Sequence, residues 1–525
     1  MPVPRIAKPF RRRLPAVLTA ADWRRVAAAP SYRGPRPQDV LAPPPFDPPG
    51  PPPASAGERP LLDAVLADPA ADAPRLRYAE WCDRQGDPRG AFIRAQLSPG
   101  GGGEDHSPAT EAWAKAFTPW SARDFVFRRG FVEGLSLSGR AFITLGGPLF
   151  RMTPLREVRL VAVAWYTDEL ARAPHLANLE RLDLSGNHVG QAGVRDLAGS
   201  PYTARLAGLD LARNSLAPAG LAELLRAPWR GQLRSLGLAG NVLGPAVSEL
   251  LADLALAGLT DLDLADNTLD GLPPGWPRLS RLSLARNPIG PAGAAALAAS
   301  PELAGLRCLD LRSCRLAPAG AEALAAAGFR GLEELDLGFN DVEDAGAAAL
   351  ARSAALSGVR RLGLRANRIG PAGAAALAAS ESVGDVTDLD LMTNRLGDAG
   401  AVAVVAGDGF AGLARLDLGN NGITDAGARR LAASGALGGL ASLSLAWNPV
   451  GDPGVKALAA CPDLAGLRRL DLTGTRIGFA GAKALAESPH LSGLRAVGVG
   501  EAGRLPADAV RMLQDRFGTT TATPA

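Results

Sequence analysis

The chain has 525 residues, 47% of them hydrophobic but only 5% aromatic, with four cysteines and a formal net charge of +3. Four cysteines in so long a chain make no disulfide framework. No run of 18 or more strongly apolar residues is present, which excludes a spanning helix. Only four of the 56 basic residues are lysine, a skew that with the Ala, Gly and Pro excess reads as coding bias before it reads as a nucleic-acid signal.

The charge is unevenly placed. Residues 1–60 hold ten basic and four acidic side chains, a surplus of six, so the remainder of the chain stands at −3. Residues 1–58 form a basic, Pro-rich arm expected to be disordered. Eight prolines between Pro43 and Pro53 predict an extended polyproline-like linker, and Arg11, Arg12 and Arg13 a solvated charge run. No 7–15-residue apolar core follows the arginines, so a secretory signal is not expected. Cys308 and Cys314, six residues or roughly 20 Å apart at strand rise, are too distant to bridge. Free thiols point to a reducing compartment, and the cytoplasm is the expected location.

Residues 59–98 change composition. Leu61, Leu62, Val65 and Leu66 predict a helical face closed by Pro69. A second helix carries Arg75, Leu76, Tyr78, Ala79, Trp81 and Cys82 and ends near Gly86; Pro88 opens a third with Phe92, Ile93 and Leu97. Forty residues rarely sustain a core alone, so this unit is expected to dock. Asp72, the string RLRYAEW (Arg75–Trp81), Gly86-Asp87 and Phe92-Ile93 resemble the small helical repeat-companion domain that precedes repeats in many bacterial proteins. That resemblance implies architecture and no chemistry.

Residues 99–165 read as a loop beginning at Gly100–Gly103, then a capping region with degenerate repeats. FVFRRGFVEGLSL (Phe125–Leu137) predicts a β-hairpin leading into a degenerate first strand at Leu135–Leu137, and Val158–Leu160 predicts a second.

From Leu179 to Thr475 one pattern returns about every 27 residues: L-x-x-L-x-L-x-x-N. Its register positions are Asn187, Asn214, Asn241, Asn267, Asn287, Asn340, Asn367, Asn394, Asn421 and Asn448, with Cys314 and Thr475 in two further copies. A fixed period of this length means a solenoid, because one unit cannot bury its apolar face without a neighbour. The L-x-L segment is a strand with its leucines inward; the register side chain forms a structural ladder by bonding backbone groups of its own and adjacent coils. A segment such as DAGAAALARSAAL (Asp344–Leu356) is helical, with an acidic start and Leu350 reaching the core. The pattern resembles the ribonuclease-inhibitor-like subclass of leucine-rich repeats. The resemblance implies an α/β right-handed solenoid, a horseshoe of about 12 clear repeats plus degenerate terminal ones, over residues 166–500. Its parallel sheet lies on the concave side and its helices on the convex side.

One coil is short. Asn267 to Asn287 spans 20 residues, and Pro273, Pro274 and Pro277 preclude a regular helix. A deletion within a tolerant array is the simpler reading; the other is a hinge or docking notch with Trp276 exposed, and either predicts a local flattening of curvature. Residues 501–518 predict a capping helix, from Pro506 to Phe517, with Val510, Leu513 and Phe517 on one face; residues 519–525 are expected to be a disordered tail.

No catalytic, metal or cofactor-binding residues are expected, and the chain is not expected to be an enzyme. Gly498, Gly500 and Gly503 match G-x-G-x-x-G, but no second strand or ribose-binding acid follows, so they read as a turn into the cap. His106, His175, His188 and His490 show no ligand spacing.

The concave face carries the candidate partner-binding residues. The outward residue of L-x-L is aspartate in eight of twelve repeats: Asp183, Asp210, Asp263, Asp310, Asp336, Asp390, Asp417 and Asp471. Strands about 4.8 Å apart make these an interrupted acidic row. It is either a solvated, turn-compatible position or a surface for a basic protein partner, and it opposes nucleic-acid phosphates. Arg181, Arg281, Arg361, Arg415 and Arg469, two residues earlier, compensate in part. Phe339 and Trp447 sit just before their register asparagines, with Arg312, Arg365 and Met392 one place earlier; these are either hot spots or loop packing. Twelve strands give an arc of roughly 50 Å, large enough for a folded domain. The expected function is a non-catalytic protein–protein interaction scaffold. The alternative, by fold analogy with ribonuclease-inhibitor-like repeats, is a regulator of another enzyme, a GTPase activator or an enzyme inhibitor.

Overall fold

A computed structural model describes residues 54–98, 108–244, 258–272, 276–499 and 505–520. The expectations for the arm up to residue 53, for Gly100–Gly103, for Pro273 and Pro274, for Gly500 and Gly503, for His106 and for the tail from residue 521 lie outside those residues. The chain forms two compact units, Met1–Val242 and Leu243–Ala525.

Among the described residues of the first unit, α1 (Arg59–Ala67), α2 (Asp72–Arg84), α3 (Arg89–Leu97) and α4 (Pro108–Phe117) come first. A hairpin of β1 (Arg123–Arg128) and β2 (Phe131–Ser138) follows. From β2 the sheet is parallel, through β3 (Glu157–Val161), β4 (Arg181–Asp183), β5 (Gly208–Asp210) and β6 (Ser235–Gly237).

Helices α2 and α4 reach β2, and α3 meets the hairpin turn. Arg75 of α2, fully buried, donates to the carbonyls of Pro69, Arg128 and Arg129 and pairs with Glu133 at 2.6 Å. Its guanidinium lies 5.1 Å from the Phe131 ring, and Tyr78 and Trp113 close on the same ring at 5.2 and 5.3 Å. Gly130, at φ +83°, lets the hairpin turn approach Ile93 of α3: an added Cβ would stand 2.4 Å from its Cγ1. The segment therefore closes the apolar end of the first layer, which answers the core deficit of so short a unit.

The second unit is a parallel sheet of β7 (Asp261–Asp263), β8 (Arg281–Ser283), β9 (Cys308–Asp310), β10 (Glu334–Asp336), β11 (Arg361–Gly363), β12 (Asp388–Asp390), β13 (Arg415–Asp417), β14 (Ser442–Ser444), β15 (Arg469–Leu472) and β16 (Ala496–Val499), each bonded in register to the next. Helices of eight to ten residues return between most strands, as in Pro371–Ala378 and Gly397–Ala406. Strand leucines such as Leu335 and Leu337 and helix leucines such as Leu350 are buried between the two layers. Each contributes about 1.5–3 kcal/mol by leaving water. The fold is a leucine-rich-repeat solenoid.

Two hydrogen-bond ladders run through it. In the first, each register asparagine spans two coils. The Asn367 amide donates to the carbonyls of Leu337 and Arg365 (2.8 and 3.2 Å), and its Oδ1 accepts from the amides of Asn340 and Val342 (3.0 and 3.2 Å). The Cys314 thiol donates to Leu284 O at 3.1 Å, and the Thr475 hydroxyl to Leu472 O at 2.6 Å. The second ladder is legible only in three dimensions. Asp344, at the start of one helix, accepts from the amides of Gly370 and Gly373 at the start of the next, at 2.6 and 3.0 Å. Asp425 does the same to Gly451 and Gly454, and Asp452 to Gly478 and Gly481. These three helix N-termini are thus capped from the preceding coil, where a carboxylate also suits the helix dipole.

The short coil keeps its register: Leu262 pairs with Leu282, and Asn287 Oδ1 still accepts from the amides of Asn267 and Leu269. The deletion falls on the helix side. Trp276 is only 5% exposed, which corrects the notch reading: the indole is packed inward. At the C-terminus, a helix at Ala507–Phe517 precedes β17 (Thr519–Thr520), which adds to β16. Those two residues depart from the expected disordered tail because the edge of β16 offers them free backbone groups.

Candidate protein-interaction face

The strand face presents the residue between the two leucines of each L-x-L. All eight aspartates there are half-buried. Each accepts a hydrogen bond at Oδ1 from the amide two residues on: Ser185 to Asp183, Ala212 to Asp210, Ala265 to Asp263, Arg312 to Asp310, Gly338 to Asp336, Met392 to Asp390, Gly419 to Asp417 and Thr473 to Asp471, at 2.7–3.1 Å. The turn-compatible reading therefore has a concrete form. The carboxylate ends the strand by satisfying the first free amide, as Asx turns do.

That role does not require a charge, and the charge is held at a disadvantage in the second unit. Burial raises the Asp336 and Asp417 carboxyls above the ordinary range, and takes Asp390 to about 6. Their amide donors oppose the shift, and the Asp417 charge beside Asp390 adds to it.

The column two residues earlier is neutralised in part, with Arg281 beside Asp261 at 3.6 Å. Arg361 pairs with Glu334, and Arg415 with Asp388 at 2.5 Å. Arg312 forks Asp310 at 2.7 Å and reaches Asp336 at 3.4 Å, so this candidate is already engaged within the row. Asp390 and Asp417 have no arginine or lysine in ion-pair contact among the described residues; Arg365 acts on both from a distance. The sequence locates both columns but not which of their carboxylates are paired, because that depends on which neighbouring strand each guanidinium leans toward.

Phe339 and Trp447 are 52% and 48% exposed. Both have left-handed backbone, φ 61° and 58°, as do most residues just before a register position; Gly186, Gly240 and Gly474 occupy that slot in other coils. The Arg365 guanidinium lies 5.8 Å from the Phe339 ring, and the Trp447 indole rests over Gly474, where an added Cβ would stand 2.5 Å from it. The rings are thus in contact at one side and open to solvent at the other.

Among the described residues, no group of three or more His, Cys, Asp or Glu is placed to hold a metal ion, and no helix is long and apolar enough to cross a membrane. The four cysteines are free thiols, and burial raises those of Cys82 and Cys314 to about 12.

Eight segments match the Leucine Rich repeat family: residues 175–198, 279–298, 306–325, 332–351, 385–405, 413–432, 440–459 and 467–486. No curated protein matches the chain. Among solved structures it is similar to an internalin from Listeria monocytogenes, at 18% identity over 67% of this chain and 88% of that one, with a TM-score of 0.38.

Proposed function

We propose that this chain is a non-catalytic interaction scaffold that binds a protein partner on the strand face of its leucine-rich repeats. Such repeats generally mediate protein–protein interaction. The observation carrying the reading is that the strand face of the second unit combines Asp390 and Asp417, carboxylates without ion-pair partners among the described residues, with two half-exposed aromatic rings, Phe339 and Trp447. Its ten strands from β7 to β16 extend about 45 Å, enough for an interface of some hundreds of Å². The acidic row favours a basic protein partner and disfavours nucleic acid. The 27-residue period supports the ribonuclease-inhibitor-like subclass, the RLRYAEW string a bacterial repeat-companion segment, and the free thiols a cytoplasmic location.

The test is affinity purification from the native cell with the wild-type chain and with D336N, D390N and D417N combined. Asparagine keeps the acceptor for the turn amide while removing the charge. Partners that bind the wild type in a salt-sensitive way and are lost from the variant support the reading. An unchanged set of partners would overturn it.

A further inference from the structure

Phe339 and Trp447 occupy the same slot four coils apart, with Ala366, Thr393 and Asn420 between them. At about 4.8 Å per strand the rings stand roughly 19 Å apart along the face. A left-handed backbone is unfavourable for a non-glycine residue, and leaving half of a large ring in water forgoes burial as well. Glycine serves the slot elsewhere, so neither ring is needed to build the turn. Between the rings lie Asp390 and Asp417 on adjacent strands, the half-buried Met392 beside them, and Arg365 leaning on Phe339 with its Nε buried and unbonded. The earlier column in the same sector is already neutralised by Arg361 and Arg415.

We infer, building on the reading of the strand face as a binding surface, that this sector recognises an extended arginine-bearing segment of a protein partner. The segment lies across the strands. Its apolar side chains contact Phe339, Met392 and Trp447, and a guanidinium enters between Asp390 and Asp417. A guanidinium suits the place because it binds carboxylates through a planar fork and stacks on aromatic rings, as Arg365 does on Phe339. At strand rise a span of roughly 19 Å corresponds to about six residues of extended peptide.

The experiment measures fluorescence anisotropy of a fluorescein-labelled peptide of alternating arginine and leucine, about six residues long, against the full chain. Binding is expected to weaken at least tenfold in F339G/W447G, and by a similar factor in D390N/D417N. Glycine suits the left-handed slot, so the first variant retains the fold. E322Q/E381Q, on the helix side, should bind as the wild type does. The same peptide with citrulline for arginine should not bind. Equal binding by the citrulline peptide, by F339G/W447G or by D390N/D417N would overturn the inference. So would displacement by spermine or by a single-stranded oligonucleotide as effective as displacement by unlabelled peptide. If F339G/W447G keeps the native partners while the triple asparagine variant loses them, the strand face stands as a binding surface and the inference of a segment held between the two rings falls. If both keep them, the broader reading falls too.

Discussion

Replacing Asp390 by asparagine should stabilise the protein at neutral and alkaline pH, and the gain should vanish in acid. The carboxyl of Asp390 titrates near 6 in the folded chain against 3.8 as its ordinary value, mainly through burial. Below both values the side chain is protonated in either state and its charge is immaterial. Between them the folded chain holds the proton more tightly, so wild-type stability falls as pH rises from about 4 to 6 and then stays lower. A shift of about two units corresponds to an upper bound near 3 kcal/mol. The carboxylate is half-buried rather than sealed, and solvent screening reduces the expected gain to about 1–2 kcal/mol at pH 8. Asparagine retains the bond from the Met392 amide, so the difference isolates the charge. Urea denaturation of both proteins at pH 8 and pH 3.5 gives the comparison, with amide exchange at Met392 as the local readout. A variant that is equally or less stable than the wild type at pH 8, or that shows the same difference at both pH values, would refute the desolvated-charge argument. The expected outcome means that a neutral residue would serve the turn better, and that the Asp390 charge does not serve stability.

Three further perturbations test the frame. Asn367→Ala removes a fully buried side chain that makes four bonds across two coils, and should destabilise by about 3–6 kcal/mol; a loss below 1 kcal/mol in thermal unfolding would contradict the ladder. Arg75→Ala strands the buried Glu133 and should cost about 3–5 kcal/mol, whereas R75M/E133L should recover most of it; protection of residues 59–138 from hydrogen exchange distinguishes the two. Asp344→Ala uncaps the following helix and should cost about 0.5–2 kcal/mol, with faster exchange at the Gly373 amide than in the wild type.

Much of the architecture follows from spacing alone. The recurrence of Leu335, Leu337 and Asn340 in each coil fixes strand, inward face and turn, because a side-chain period of two and a short coil leave no other way to bury the leucines. The short coil after Asn267 was visible for the same reason, since prolines forbid a helix wherever they occur. The inward packing of Trp276 was not visible, because whether an indole fills a gap depends on what lies across it. The docking of Arg75 on Glu133, 58 residues away, was equally hidden: the string RLRYAEW shows a helix but not its partner.

The candidate face divides along the same line. Its eight aspartates and the positions of Phe339 and Trp447 are properties of the sequence, given a constant period. Which carboxylates are neutralised and which are left desolvated was decided by the direction each arginine takes across neighbouring strands, with Arg361 and Arg415 turning to the earlier column and Arg365 to Phe339. The capping of Gly370 and Gly373 by Asp344 belongs there too. Periodicity determines what stands in each row, because it is set by local chain geometry. Pairing between rows is set by side-chain reach across coils about 27 residues apart in sequence and about 5 Å apart in space, and only the stacked structure brings them together.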